Sequence, residues 1–437
     1  MRPRPAHALP IAITGLLIAL APAAAQDTAS VPRAERPDTT PRRPAAAQPP
    51  RVVITGQMRL RSEDDARRVL AGEPVWLHLL RTRLRATARP APGFTVVGEV
   101  QDARYLGEGD PAQGRGTTDA SAPALDMHQA WAQVDRPLRL PLELRVGRQE
   151  MSFANERLIG TSPFSNTGRS FDGARVTVHA ARALTVDAFA DRLAAPSAAA
   201  TAGQDFYGAW AAWKPSPTLQ ADAFALRDDN TAPIRRGVDQ GRPVLARYTL
   251  GGNLRGTAGL LAAELEGAAQ RGHGAASDST ARDEIRAWFG SVTANVTVIP
   301  RTQTQLGGLV TVLSGDGDPA DGRDERFNTL FGTNHRFYGL IDYVPELGGS
   351  HGVIDAAATL AHQPIPAVKL LLEAHRLLPH RGAGAFGSEA DLTATWRAAP
   401  AFELSAGASA FHTGALLEPR VGPGTHYWAF VAGLWEF

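Results

Sequence analysis

The chain has no cysteine among its 437 residues. That excludes a disulfide-stapled fold, a thiol nucleophile and thiolate metal sites, while an oxidising compartment permits disulfides without requiring them. Also missing, beyond the N-terminal region, is any run of about 18 apolar residues free of charge, so no transmembrane helix is expected. Two classes are left: an exported soluble protein, or a chain that crosses a membrane as a closed barrel. Charge of one sign is scarce in excess. The formal net charge is +1, and losing Arg2 and Arg4 with a cleaved leader takes it to about −1. Such a chain has no general attraction for nucleic acid, and electrostatic selectivity has to come from where charges sit. Enzyme fingerprints are absent too. There is no GxSxG, HExxH, P-loop or dinucleotide motif, and the glycine-rich stretch at 251–256 does not lead from a strand into a helix. His128, His335, His362 and His375 are far apart and mark no nucleophile. The expectation is a protein that is not an enzyme and carries no obligatory cofactor.

What is present begins with Arg2 and Arg4, an apolar stretch from Ala8 to Ala24, and the small residues Ala23, Ala24 and Ala25. This pattern predicts a secretory signal peptide over residues 1–25. Pro10 and Pro22 bracket the apolar core and leave it short of the roughly 20 residues that span a bilayer. Residues 26–50 hold Pro32, Pro37, Pro41, Pro44, Pro49 and Pro50 among Ala, Thr and Arg. Such a segment has little to bury and is expected to be a disordered periplasmic linker.

From Arg51 to Phe437, runs of roughly 8–12 residues with period-2 character alternate with Gly, Pro and Asp breaks. They number about eighteen, more than a single soluble sandwich uses and typical of porin-like barrels. The predicted fold is therefore all-β, a transmembrane antiparallel β-barrel over 51–437. Its runs include Thr257–Glu266 and Thr297–Thr311. Ala181–Leu184 and Lys214–Thr218 read as short periplasmic turns. Long external loops are expected at about 104–125, 227–243, 268–282, 314–333 and 377–388. Trp76, Trp131, Trp210, Trp213, Trp288 and Trp396 lie near run ends, as interfacial girdles require. In the last run Tyr427, Ala429, Val431, Gly433, Trp435 and Phe437 share a face. An apolar alternating strand with an aromatic at its end resembles the insertion signal read by the barrel-assembly machinery, an expected partner together with outer-membrane lipid and lipopolysaccharide. The predicted location is the bacterial outer membrane.

One face of the second run carries Arg81, Arg83 and Arg85, and Arg145 alternates with apolar residues in Leu142–Gln149. Arg148, Arg157, Arg169 and Arg175 cluster around a strand–loop–strand unit with Glu150, Glu156 and Asp172 between them. Ser165–Ser170 is too polar for a lipid-facing strand and is expected to fold inward and narrow the pore. Guanidinium groups stay charged at any working pH and grip carboxylates with paired hydrogen bonds, so a ladder of them offers a polyanion several weak stations. Internal pairing with Glu99, Asp102, Glu143, Glu150 and Asp172 across the wall is the alternative use of the same arginines.

The segment from Asp126, with AWAQV, VGRQE, ERLIG and SNTGRSFDGARV, resembles the alginate export family of outer-membrane porins. A second block, residues 314–343, is similar to that family as well. The resemblance implies a wide monomeric barrel of eighteen strands, whose type member exports an anionic polysaccharide through an arginine-rich constriction. Carried over by motif, the lumen positions are Arg148, Glu150, Arg157, Asn166, Arg169, Asp172 and Arg175. In the second block they are Asp316, Asp318, Asn328, Asn334, His335 and Asp342. The expected cargo is an anionic polysaccharide or other anionic solutes. The alternatives are a porin for small solutes such as aromatic acids or sugars, and a structural or adhesive surface barrel. Asp316, Asp318, Asp321 and Asp324 crowd a glycine-rich loop and suit calcium by ligand type. The closing Glu of an EF-hand is replaced by Phe327, so a solvated polar loop is the competing reading.

Overall fold

The computed structural model describes residues 51–64, 76–106, 125–193, 204–230, 245–275, 282–344 and 349–437. The expected signal peptide (1–25) and linker (26–50) lie outside the described residues. So do 107–124, 231–244 and 276–281, which hold parts of the expected loops 104–125, 227–243 and 268–282.

Alternating sequence produces strands, and the strands pair in chain order. The first nine are β1 (Arg51–Asp64), β2 (Trp76–Ala91), β3 (Phe94–Leu106), β4 (Asp126–Asp135), β5 (Leu142–Gln149), β6 (Phe171–Ala181), β7 (Leu184–Leu193), β8 (Gln204–Ser216) and β9 (Leu219–Asn230). The next are β10 (Leu245–Ala258), β11 (Leu261–Ala275), β12 (Arg282–Ile299), β13 (Thr304–Leu313) and β14 (Val353–Ile365). The last are β15 (Val368–Leu378), β16 (Gly387–Ala399), β17 (Phe402–Thr413) and β18 (Thr425–Glu436). A two-residue strand, Arg323–Asp324, lies parallel to β12 at Glu284–Ile285.

β1 closes the sheet. It pairs with β2 from Arg51↔Arg89 to Asp64↔Trp76, and with β18 from Gln57↔Glu436 to Glu63↔Phe430. Gly56 and Phe437 exchange backbone hydrogen bonds of 2.7 and 3.0 Å at the end of this seam. Closure removes the free edge, which in hydrocarbon would leave amide groups without partners at several kcal/mol each.

The faces are reversed relative to a soluble sheet protein. Leu84, Val146, Leu250, Leu265, Val292, Val310, Leu392 and Val431 point outward and are exposed. The inward face buries polar groups, among them Arg81, Glu99, Gln101, Asp222, Glu266, Gln270 and Ser291. Trp76 and Trp288 stand outward toward one end of the wall, and Trp213 and Trp396 toward the other, each about half exposed. Trp131 and Trp210 do not join these girdles. Trp131 lies under the Arg145 guanidinium, and Trp210 stacks between Phe153 and Phe224 inside the barrel. Both fall on the inward parity of their strands, which nearness to a run end could not reveal.

Strand limits correct several expected boundaries. Thr257–Glu266 crosses the tight turn between Ala258 and Leu261, and Thr297–Thr311 crosses the 3-10 turn Pro300–Thr302. Turns of two and four residues barely interrupt a period-2 pattern, so the runs merged. Residues 268–275 continue β11, and the expected 314–333 loop extends until β14 begins at Val353.

Candidate site in the barrel lumen

Two connections fold into the barrel. One joins β5 to β6 (residues 150–170), and the other joins β13 to β14 (residues 314–352). Short connections sit at the opposite end of the wall, the periplasmic end by the usual asymmetry of these barrels. The inward segments bring Met151, Phe153, Leu158, Ile159, Phe331, Tyr338 and Ile341 against wall residues Phe171, Phe189, Phe206, Trp210 and Phe224. The barrel thus has a hydrophobic core on its inside, built by loops.

Arginines hold the first loop by its backbone carbonyls. Arg59 donates to Pro163 O at 2.5 Å and Ser165 O at 2.9 Å. Arg61 donates to Phe164 O and lies 3.8 Å from that ring's centroid. Arg81 reaches Pro163 O and Ser165 O, and donates to Gln57 at 2.9 Å. Arg83 bridges Gln101 (2.7 Å), Glu150 (3.3 Å) and Thr167 O (3.2 Å). Burial would raise the Glu150 carboxyl, but the hydrogen bond with His128 at 2.8 Å and the charge of Arg83 hold it below the usual carboxylate range. The Asn166 amide donates to Leu80 O and Arg104 O. The expected inward path of 165–170 is therefore present, and a guanidinium scaffold fixes it.

The two loops also clasp each other. Ile159 and Phe331 form a parallel bridge, and the Arg169 guanidinium donates to the carbonyls of Gly160, Phe331 and Gly332. Burial pushes Arg169 down to about 10, against the opposing pull of Glu156, so it stays charged at neutral pH. Arg157 donates to Glu266 at 3.1 Å and to the Tyr338 hydroxyl at 3.3 Å, with its guanidinium 4.0 Å from the Phe337 ring centroid. The second loop is tied to the wall where Leu340 N and Ile341 N donate to Asp391 and Glu389. Asn328 exchanges hydrogen bonds with Gln270, Asn334 donates to Thr329, and His335 pairs with Asp342 at 2.7 Å while stacking on Phe164.

Below the clasp, Arg85, Arg145 and Arg175 line the wall. Arg85 pairs with Glu99 at 2.6 Å and Arg175 with Asp187 at 2.8 Å. Arg145 donates only to the neutral Gln133 amide oxygen, and it stands directly opposite Arg175 in register. Arg148 and Asp172 need correction as lumen residues. Gly147 and Gln149 take the inward parity, so Arg148 shares the outer face with Leu144 and Val146. It binds Asp172 there at 2.6 and 2.8 Å. The motif resemblance located these two without counting alternation. Arg59 and Arg61 were missed, although their spacing on β1 matches that of Arg81 and Arg83 on β2. Glu389, Asp391 and Gln270 carried no sequence signal, because only the loop path makes them anchors.

Asp316, Asp318, Asp321 and Asp324 do not converge. Each accepts a hydrogen bond from a backbone N–H two residues on: Asp318, Ala320, Arg323 and Arg326 respectively. Among the described residues no group of three His, Asp or Glu side chains is placed to hold a metal ion.

A closed, inside-out barrel with inward loops is the architecture of an outer-membrane channel, and the family model for alginate export matches residues 51–378. The chain belongs to the alginate export family. Among solved structures, Acinetobacter baumannii OccAB4 superposes with a TM-score of 0.60 at 9% identity, covering 90% of this chain and 100% of its own. Pseudomonas aeruginosa OccK8 (OprE) gives 0.59 at 12% identity, with 88% and 98% covered. P. aeruginosa OpdK, solved with vanillate, gives 0.59 at 11%, with 88% and 98% covered. At these identities the likeness is one of fold. No curated protein sequence matches. This family member is an outer-membrane β-barrel channel, and its family and fold are those of porins rather than enzymes.

Proposed function

We propose that this channel passes carboxylate-bearing anionic solutes passively, drawing them along the guanidinium-lined wall beneath the loop clasp. The observation that supports this most is Arg145. It faces Arg175 across one register step with no carboxylate of its own. Like charges placed directly opposite repel, and a permeating carboxylate would relieve that repulsion. Arg81, Arg83, Arg157, Asn166 and Arg169 set the width of the passage by holding the loops, and Arg85, Arg145 and Arg175 supply the stations. Anionic polysaccharide remains the cargo that family membership favours, in a form thin enough to pass the narrowed lumen.

The test is the reversal potential of single channels under a salt gradient. Anion preference is expected. Arg145→Gln is expected to lower the anion-to-cation permeability ratio roughly twofold or more. A cation-preferring channel, or a ratio untouched by Arg145→Gln, refutes the reading.

A second reading is uptake of small aromatic carboxylates. The inward loops, which favour small cargo, and the vanillate bound to the structurally similar OpdK support it. Against it, the stacked rings Phe153, Trp210 and Phe224 are buried in the loop core and offer no free face. Block by benzoate but not by uronate oligomers would select this second reading.

A further inference from the structure

Charge also gathers on the outer face of the wall, away from the lumen. Toward the external ends of β8 to β12, Tyr207, Arg227, Tyr248, Arg271 and Arg286 stand directly opposite one another in successive register, one per strand. All five take the outward parity. Most outward arginines near the external strand ends of this side are matched by a carboxylate: Arg148 by Asp172, Arg192 by Asp205 and Arg227 by Asp229. On β11 and β12 the balance changes. Arg271 and Arg286 are exposed like charges in direct opposition. Arg286 bonds Glu284 at 2.8 Å, while Arg271 donates to the Gln270 carbonyl oxygen at 2.8 Å. Arg323, exposed and in register with Glu284, has no side-chain partner among the described residues. The charges of Arg271 and Arg323 both act on Glu284. Three guanidinium groups therefore share one carboxylate.

We propose that Arg271, Arg286 and Arg323 form a binding site on the outer wall for the phosphate groups of the outer-leaflet glycolipid, the lipid A part of lipopolysaccharide. Position supports a lipid headgroup. Trp288, half exposed on the outward face of β12, marks the membrane boundary. Arg286 follows two residues farther out, roughly 7 Å along the strand, where headgroups begin. Basic side chains at that level attract anionic lipid headgroups. Chemistry supports phosphate. Like charges directly opposite on a sheet repel, and a phosphate between Arg271 and Arg286 cancels that repulsion with paired, charge-assisted hydrogen bonds. The same outward face supports a lipid over free phosphate. Leu265 and Val292, exposed and directly opposed farther toward the bilayer, offer acyl chains an apolar surface below the cations. The site lies outside the lumen and stands or falls apart from the cargo.

Titration of the full chain, purified in detergent and stripped of lipid, tests this with bisphosphoryl lipid A as probe and native mass spectrometry as readout. Dephosphorylated lipid A and phosphatidylglycerol are the controls. Retention of bisphosphoryl lipid A is expected, in EDTA as well as without it, because guanidinium groups bind phosphate with no divalent bridge. The combined Arg271→Gln, Arg286→Gln variant is expected to lower the affinity about tenfold. Arg301→Gln removes an exposed cation from the turn between β12 and β13, at the opposite end of the wall, and should change nothing. The single variants Arg271→Gln and Arg323→Gln, with retention of binding in Arg271→Lys, carry the test if the double variant assembles poorly. Unchanged binding in all the glutamine variants, or an equal loss in Arg301→Gln, overturns the site. Equal binding of dephosphorylated lipid A or of phosphatidylglycerol overturns the ligand. Displacement by millimolar inorganic phosphate overturns the lipid assignment in favour of a soluble phosphate. Loss of binding in EDTA overturns direct contact between guanidinium and phosphate.

Discussion

Arg157 and Arg145 carry the same group and do different work, because burial and partners differ. Arg157 and Glu266 have side chains only 4% and 2% exposed and meet at 3.1 Å. Removing one member of such a pair leaves the other charge buried without compensation, a loss of about 3 kcal/mol or more. Arg157→Ala is therefore expected to free the loop clasp rather than change ion preference. Trypsin added externally should cut within 150–170 faster, and conductance should fluctuate more at an unchanged reversal potential. Altered selectivity with unchanged proteolysis would contradict this. Arg145 sits in a wetter place, and its loss is expected to act on selectivity alone. The arginines of the lumen face were legible in the sequence, since period-2 spacing puts Arg81, Arg83 and Arg85 together. Their division into loop holders and wall stations was not, because the carbonyls of Pro163, Ser165 and Thr167 come from a segment about eighty residues away.

For the two inward loops, close backbone approach matters as much as charge. A Cβ added at Gly332 would fall 2.1 Å from Arg157 O and 2.9 Å from Arg157 C, backbone atoms that cannot swing aside as a flexible side chain would. Gly332→Ala is expected to separate the loops by breaking the Ile159–Phe331 bridge and the Arg169 contacts. The readout is larger mean conductance and faster permeation of neutral sugars into liposomes; a smaller or equal conductance would refute the clasp as the constriction. The polar character of 165–170 made an inward loop foreseeable. The second loop was underestimated, ending at 333 in the sequence reading. Its later part holds Tyr338, Ile341 and Tyr343, apolar enough to pass for strand, yet they pack inside the barrel. Likewise Trp131 and Trp210 could not be sorted from the outward girdle by position near a strand end.

Over the whole molecule, lipid and lumen compete for the two faces of every strand. Leu392 lies mid-strand on the outer face of β16, beside the inward Asp391 and Thr393. Leu392→Arg is expected to destabilise the barrel by about 2–4 kcal/mol if it sits at the bilayer midplane. The loss should appear as a lower urea midpoint in vesicles and an unchanged ion preference in channels that do assemble. A midpoint equal to wild type would argue against a lipid-facing β16. The sequence by itself determined the all-β class, the number of strands and the outward face, since alternation, short turns and the absence of long apolar helices are local properties. Tertiary structure alone decided which arginines hold loops and that Arg148 and Asp172 lie outside the lumen. Those facts depend on how loops from distant segments fill the inside of the closed wall, and such contacts leave no period in a linear chain.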